Sequence, residues 1–144
     1  MRAHYNGLIP RNPFVQFHIS PNVKEREYLT EDEIKRIMAH EFDSPTLALV
    51  RDPFIFACFA AMSFVDMKEL TTDEIVEANG EKWILSKRHK YLSEDKLVFG
   101  KINYWTMCKQ LKKVLAECGI EKQISYHCAR HTFGALALSK GDAH

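Results

Sequence analysis

No stretch of this chain stays apolar long enough to cross a bilayer. The most apolar run, Phe54 to Met62, falls well short of the roughly 20 residues that a spanning helix needs. No secretory leader opens the sequence at Met1, so the expectation is a soluble, cytoplasmic protein with no membrane partner. Cysteine is sparse: the four present (Cys58, Cys108, Cys118, Cys128) include no CxxC pair. That excludes the common zinc ribbons and argues against a disulfide scaffold. Three of the four lie in apolar helical patterns, where a reduced cysteine acts as a small hydrophobe. Internal repeats and low-complexity tracts are also lacking. Net charge is nearly absent, at +1.

That near-neutrality conceals a sorting of charge. Residues 25–81 hold fourteen carboxylates against five Lys or Arg, whereas residues 82–113 hold nine Lys or Arg against only Glu94 and Asp95. A chain sorted in this way presents a basic face to phosphates while staying neutral overall. A solvated helix face plus a solubilising turn would produce the same pattern. The length of 144 residues and a hydrophobic fraction of 46% suit one domain with an ordinary core.

Residues 1–28 have weak periodicity, three prolines and scattered aromatics, and read as the end of a preceding element followed by a linker. Thr30 and Glu33 then form a capping box, with Leu29 and Ile34 at the two staple positions. Ile34, Ile37, Met38 and Phe42 make the buried stripe of the helix that follows. Asp52–Pro53 reads as an N-cap and first helical residue, opening a helix from Phe54 to about Phe64. That helix is apolar on nearly all sides and belongs in the middle of the domain. Asn79–Gly80 is a hairpin turn. Lys82–Arg88 reads as a strand, paired with a short segment around Leu97–Phe99. Asn103 caps an amphipathic helix whose inner face carries Tyr104, Met107, Cys108, Leu111, Val114, Leu115 and Cys118, and Gly119 stops it. Ser125 caps a last helix that closes near Gly141. The expected fold class is mainly α with a small β-hairpin.

Chemistry concentrates in Tyr126–Leu136. His127 and Arg130, three residues apart on a helix, share a face, and His131 follows at once. By itself HxxR fits two readings: a functional pair, or a half-buried histidine beside an arginine that pairs with a carboxylate. His127 and His131 also have the i, i+4 spacing of a metal-binding helix, with Cys118 and Cys128 nearby. Cys128 lies on another face, and no CxxC supplies further ligands, so a metal site is not expected.

The longer string YHCARHTFGALALSKG resembles the second motif box of the tyrosine recombinases (the phage-integrase family), H-x-x-R-H-(T/S)-F. His127, Arg130, His131, Thr132 and Phe133 match in register. FACFAAMSFVDMKELTTDEI resembles the first box, T-G-(L/M)-R-x-x-(D/E)-(L/I/V)-x-x-L-x-x-x-D-(I/V), with Met62, Asp66, Leu70, Glu74 and Ile75 at or near their places. WILSKRHK resembles the β-hairpin that carries the family's lysine, with Arg88-x-Lys90 for the usual R-x-K-T. NGLIPRNPF…REYLTEDEI is similar to the family's interdomain linker and first catalytic-domain helix.

The resemblance implies a recombinase catalytic-domain fold, incomplete at the C-terminus. Residues 1–28 would be the end of a core-binding domain and its linker, and residues 29–144 a partial catalytic domain. It implies site-specific DNA recombination or integration without metal or cofactor, in which a tyrosine attacks a phosphodiester to form a 3′-phosphotyrosyl bond. Double-stranded DNA would be the partner, at the bacterial nucleoid, and the full-length protein would assemble as a tetrameric synapse on it. Arg130 would neutralise the phosphorane-like transition state, because a guanidinium offers paired hydrogen bonds and stays charged. His127 would handle protons on the attacking side. Lys90, or Lys87 in its stead, would protonate the leaving 5′-oxygen. Asp66, His131 and Ser63 would support them, and Lys87, Arg88, Lys101 and Lys109 would contact DNA.

The sequence departs from the family at three places. Ser63 occupies the position of the first-box arginine, with Arg88 as a candidate substitute. The stretch from Lys90 to Asn103 is shorter than the family's. The sequence ends at His144, ahead of the L-G-H motif and the nucleophile; its five tyrosines (Tyr5, Tyr28, Tyr91, Tyr104, Tyr126) all precede Arg130. The chain alone is therefore expected to hold DNA without cutting it. An inactive DNA-binding relative is the alternative.

Overall fold

The computed structural model describes residues 27–85 and 94–141. The fold is mainly helical with one two-stranded antiparallel sheet. The first helix, α1 (Glu31–Ala39), opens on the expected capping box. Glu33 N–H donates to Thr30 Oγ1 at 3.3 Å, and Thr30 N–H donates to the Glu33 carboxylate at 2.7 Å. Both staple residues, Leu29 and Ile34, are buried, as is Ile37, whereas Met38 is 54% exposed. Lys122 reaches across to Glu33 at 2.7 Å. Burial pushes the Glu33 carboxyl upward, but its bonds to Lys122 and Thr30 outweigh that and hold it below the usual range.

The central helix, α2, runs over Pro45–Ala60 and so begins well before Phe54. Ser44–Pro45 is the same kind of start signal as Asp52–Pro53, and it lies further upstream. Pro53 therefore sits inside the helix, where it cannot bond to the carbonyl of Leu49. Leu49 is 60% exposed, so water can serve that carbonyl. From the middle of the domain α2 contacts each of the other four helices, burying Leu47, Val50, Phe54, Ala57 and Cys58. It ends at Ala61, whose φ of 52° is left-handed.

A short helix, α3 (Phe64–Glu69), follows at once, capped by Ser63. After a 3-10 turn, Thr72–Glu74, come β1 (Ile75–Ala78) and β2 (Glu81–Ile84). The register is Ile75↔Ile84, Val76↔Trp83, Glu77↔Lys82 and Ala78↔Glu81. Asn79 and Gly80 join the strands with φ of 57° and 78°, the two positive values that a type I′ turn requires. The partner of β2 is thus β1, not the segment around Leu97–Phe99. Leu97 instead bridges Thr71, and Val98 N–H donates to Leu70 C=O at 3.0 Å.

Helix α4 (Tyr104–Glu117) starts at Asn103, whose side chain accepts from Thr106 N–H at 2.7 Å. At its far end Gly119 takes φ 66°; Ile120 N–H bonds Leu115 C=O and Gly119 N–H bonds Ala116 C=O, the paired bonds of a Schellman stop. Of its expected inner face, Met107, Leu111, Val114, Leu115 and Cys118 are buried, while Tyr104 is half exposed. The last helix, α5, spans Cys128–Gly141, two residues later than the Ser125 signal implied. Tyr126 and His127 form a turn ahead of it, closed by Cys128 N–H on Ser125 C=O at 2.9 Å. Among the described residues no helix is long and apolar enough to cross a membrane.

Thr132 welds the two ends of the domain. Its buried Oγ1 accepts the Leu29 N–H at 3.0 Å across 103 residues of sequence. Thr132→Val keeps the shape and removes the acceptor, which leaves a buried N–H unpaired. A loss of about 1–3 kcal/mol is expected in denaturant unfolding; an unchanged midpoint would show that this bond contributes nothing.

Candidate functional site

The site forms where the end of α2 meets the start of α5. The left-handed turn at Ala61 lifts its carbonyl out of the helix ladder. Arg130, in the first turn of α5, donates from Nε to that carbonyl at 3.0 Å. Its Nη2 lies 4.0 Å from the Asp66 carboxylate, too far for a hydrogen bond. Asp66 in turn is tied to Ser63: the Ser63 hydroxyl donates to Oδ2 at 2.5 Å and accepts the Asp66 N–H at 3.2 Å. Both partners of the Arg130–Asp66 pair are about half exposed, 47% and 48%, so solvent screens it and it adds little stability.

Met62, Ser63, Phe64, Tyr104, Tyr126, His127 and Arg130 line one small pocket of about 100 Å³. Four of the expected residues thus converge from separate segments: Ser63, His127 and Arg130 on the pocket itself, and Asp66 through its contact with Arg130. His131 joins as a neighbour, its ring 5.3 Å from that of His127 in an edge-on arrangement. Ser63 also has a structural task. As the N-cap of α3 it makes a bond worth about 1 kcal/mol, which an arginine there would forfeit.

A larger hollow of about 550 Å³ adjoins the pocket across Phe64 and Tyr104, and Lys68, Lys101 and Glu94 also line it. Lys101 is paired with Glu94 at 2.5 Å. Lys109 lies further along α4, its ammonium 4.7 Å from the Trp105 ring centroid, and Trp105 is 69% exposed. Lys87, Arg88 and Lys90 lie outside the described residues. Among those described, no cluster of three or more His, Cys, Asp or Glu is arranged to hold a metal ion.

Sequence reasoning passed over three groups here. Tyr104 was read only as a core position and Tyr126 only as a tyrosine too early to be the nucleophile. The Ala61 carbonyl carries no signal of its own. Tyr126 is 2% exposed, its ring edge-on to Phe64 at 5.3 Å and to Phe54 at 6.2 Å, and its hydroxyl has no hydrogen-bond partner among the described residues. Burial, with the nearby Cys58 adding to it, drives this phenol well above the ordinary tyrosine range, so it stays protonated. Burial likewise pushes the Cys58 thiol up to about 12, which removes it as a thiolate nucleophile at neutral pH.

A guanidinium with unused N–H groups, an imidazole, a serine and an unpaired phenol around so small a volume suit an anion the size of a phosphoryl group. Set against protein-family models, curated proteins and solved structures, the chain matches none.

Proposed function

We propose that this chain is part of the catalytic domain of a tyrosine recombinase. In a longer protein that supplies the tyrosine, it would cut and rejoin double-stranded DNA by metal-free transesterification. The observation that carries this reading is the meeting of two motifs far apart in sequence. Arg130 of the second box is bonded to Ala61 and stands beside Asp66 of the first, with His127 and Ser63 on the same pocket. The resemblance asks for that juxtaposition, and nothing in the local spacing of either motif demands it. Two details of the first box agree. Ala61 falls on the box's glycine and adopts the positive φ that glycine usually supplies. Of its four apolar positions, Met67 and Leu70 are buried, Met62 is half-buried and Ile75 is exposed.

In this reading Arg130 carries the transition-state charge and His127 the proton on the attacking side. Lys90 delivers the leaving-group proton, Lys101 and Lys109 contact the DNA backbone, and the longer protein assembles as a tetramer on its site. A second reading, a relative that holds DNA without cutting it, has one observation in its favour: Ser63 is committed to capping α3 and cannot act as a phosphate clamp.

The test has two arms. The chain as it stands should bind a fluorescent duplex weakly, with affinity falling steeply between low and physiological salt. A chain extended through the tyrosine should form a covalent adduct with nicked DNA in the presence of EDTA. Salt-steep binding without any adduct would favour the second reading. An adduct that requires Mg²⁺, or no binding even at low salt, would end the first.

A further inference from the structure

The Tyr126 hydroxyl is a buried donor with no acceptor among the described residues. A phenylalanine would fill the slot between Phe54 and Phe64 equally well, so packing does not account for the oxygen. Sealing an unpaired hydroxyl from water costs stability. Its surroundings point toward a ligand. Tyr126 lines the pocket with Ser63, His127 and Arg130, and the charges of Arg130 and Asp66 both act on it. The first-box arginine, which would have given a phosphate its second clamp, is absent from this same pocket. The hydroxyl is closed off from bulk water, and Tyr126 is one of the residues that line the pocket. The side chain able to give way is Arg130, half exposed and tied by one hydrogen bond to Ala61.

We infer that the pocket takes a phosphate in which the Tyr126 hydroxyl donates to a non-bridging oxygen, supplying the hydrogen bond that the arginine-to-serine change at Ser63 removed. The bound phosphate draws the Arg130 guanidinium from the Ala61 carbonyl onto its own oxygens, and that shift uncovers the hydroxyl. Tyr126 then acts as a neutral donor throughout, its proton held by the same burial that keeps it from acting as a nucleophile. This assignment rests on the recombinase reading for its biological substrate but not for its ligand chemistry.

Inorganic phosphate titrated into the chain, followed by backbone amide signals of Ser63 and His127, tests it together with thermal melting. The wild-type protein should bind saturably. Tyr126→Phe should melt at the same temperature or higher, since it deletes only an unpaired group, yet bind phosphate about 10- to 100-fold more weakly, as expected for a lost hydrogen bond to a charged ligand. In a chain extended through the tyrosine, the same change should lower kcat/KM. Phosphate binding by Tyr126→Phe equal to wild type overturns the proposal, as does the absence of saturable binding in the wild type. A fall in melting temperature would reveal a structural partner for the hydroxyl and overturn it too. Loss of phosphate binding in Tyr126→Phe, with no DNA adduct formed by the extended wild-type chain, would leave the phosphate site standing and remove the recombinase reading alone.

Discussion

On the recombinase reading proposed above, Arg130→Ala in a chain extended to supply a nucleophilic tyrosine is expected to bring covalent adduct formation to background while the protein stays folded. Attack on a phosphodiester adds negative charge to the non-bridging oxygens, and in a mechanism without a divalent ion side chains must neutralise it. Removing one preorganised donor of this kind raises the barrier by about 2.7–4 kcal/mol, or about 10²–10³ in rate. The expected loss lies at the upper end, because the first-box position holds Ser63 and no second arginine shares the load there. The cost to folding should be small. The side chain is 47% exposed, its ion pair with Asp66 is long, and its one hydrogen bond goes to the Ala61 carbonyl, which water can serve in its place. Adduct formation on a nicked duplex in EDTA, with thermal melting run beside it, measures both. An Arg130→Ala variant that still forms adduct at close to the wild-type rate would remove Arg130 from the chemistry.

The largest effect on stability is expected from Phe54→Ala. Phe54 is wholly buried near the centre of α2, the helix that touches all the others, and its ring meets Tyr126 edge-on. Cutting a buried phenylalanine to alanine costs about 3–5 kcal/mol, part in transfer and part in the cavity left behind. Against a total of about 5–15 kcal/mol for an ordinary domain, that is a third or more of what holds the fold together. The melting temperature should fall by roughly 10–20 °C. Phe59 on the same helix provides the control. It is 51% exposed, and its alanine variant should stay within about 0.5 kcal/mol of wild type. Equal losses at Phe54 and Phe59 would mean that the core does not close around α2 in the way described.

Which features were legible beforehand follows from how far each cause reaches. The Thr30–Glu33 box, the Asn79–Gly80 turn, the Asn103 cap and the Gly119 stop are written within a few neighbouring residues, and each was found where those residues stand. The start of α2 was misread because two Ser/Asp–Pro pairs carry the same signal and only tertiary packing decides between them. The partner of β2 was misplaced even though the Asn-Gly turn itself dictates that the strand before it, Ile75–Ala78, pairs with the strand after it. The meeting of Arg130 with Ala61 spans 69 residues and could be anticipated only through the motif resemblance. The Tyr126 hydroxyl was invisible for another reason: its interest lies in a bond it does not make, and only three-dimensional surroundings reveal that. Lys87, Arg88 and Lys90 were named from the sequence and fall outside the described residues.

The bond from Leu29 to Thr132 bears on how the protein is made. Helix α2 is made before α4 and α5, yet it is mostly apolar and owes much of its cover to them. A ribosome that has translated only as far as the hairpin has produced a greasy rod with few partners. Closure waits for α5, and the bond from Leu29 to Thr132 joins residues 103 apart in sequence, a non-local contact whose loop must close before it forms. Until then the nascent chain displays Leu47, Val50, Phe54 and Ala57, the residues that the folded domain buries. Halting translation anywhere before Thr132 would leave the Leu29 N–H without the acceptor it has in the folded domain.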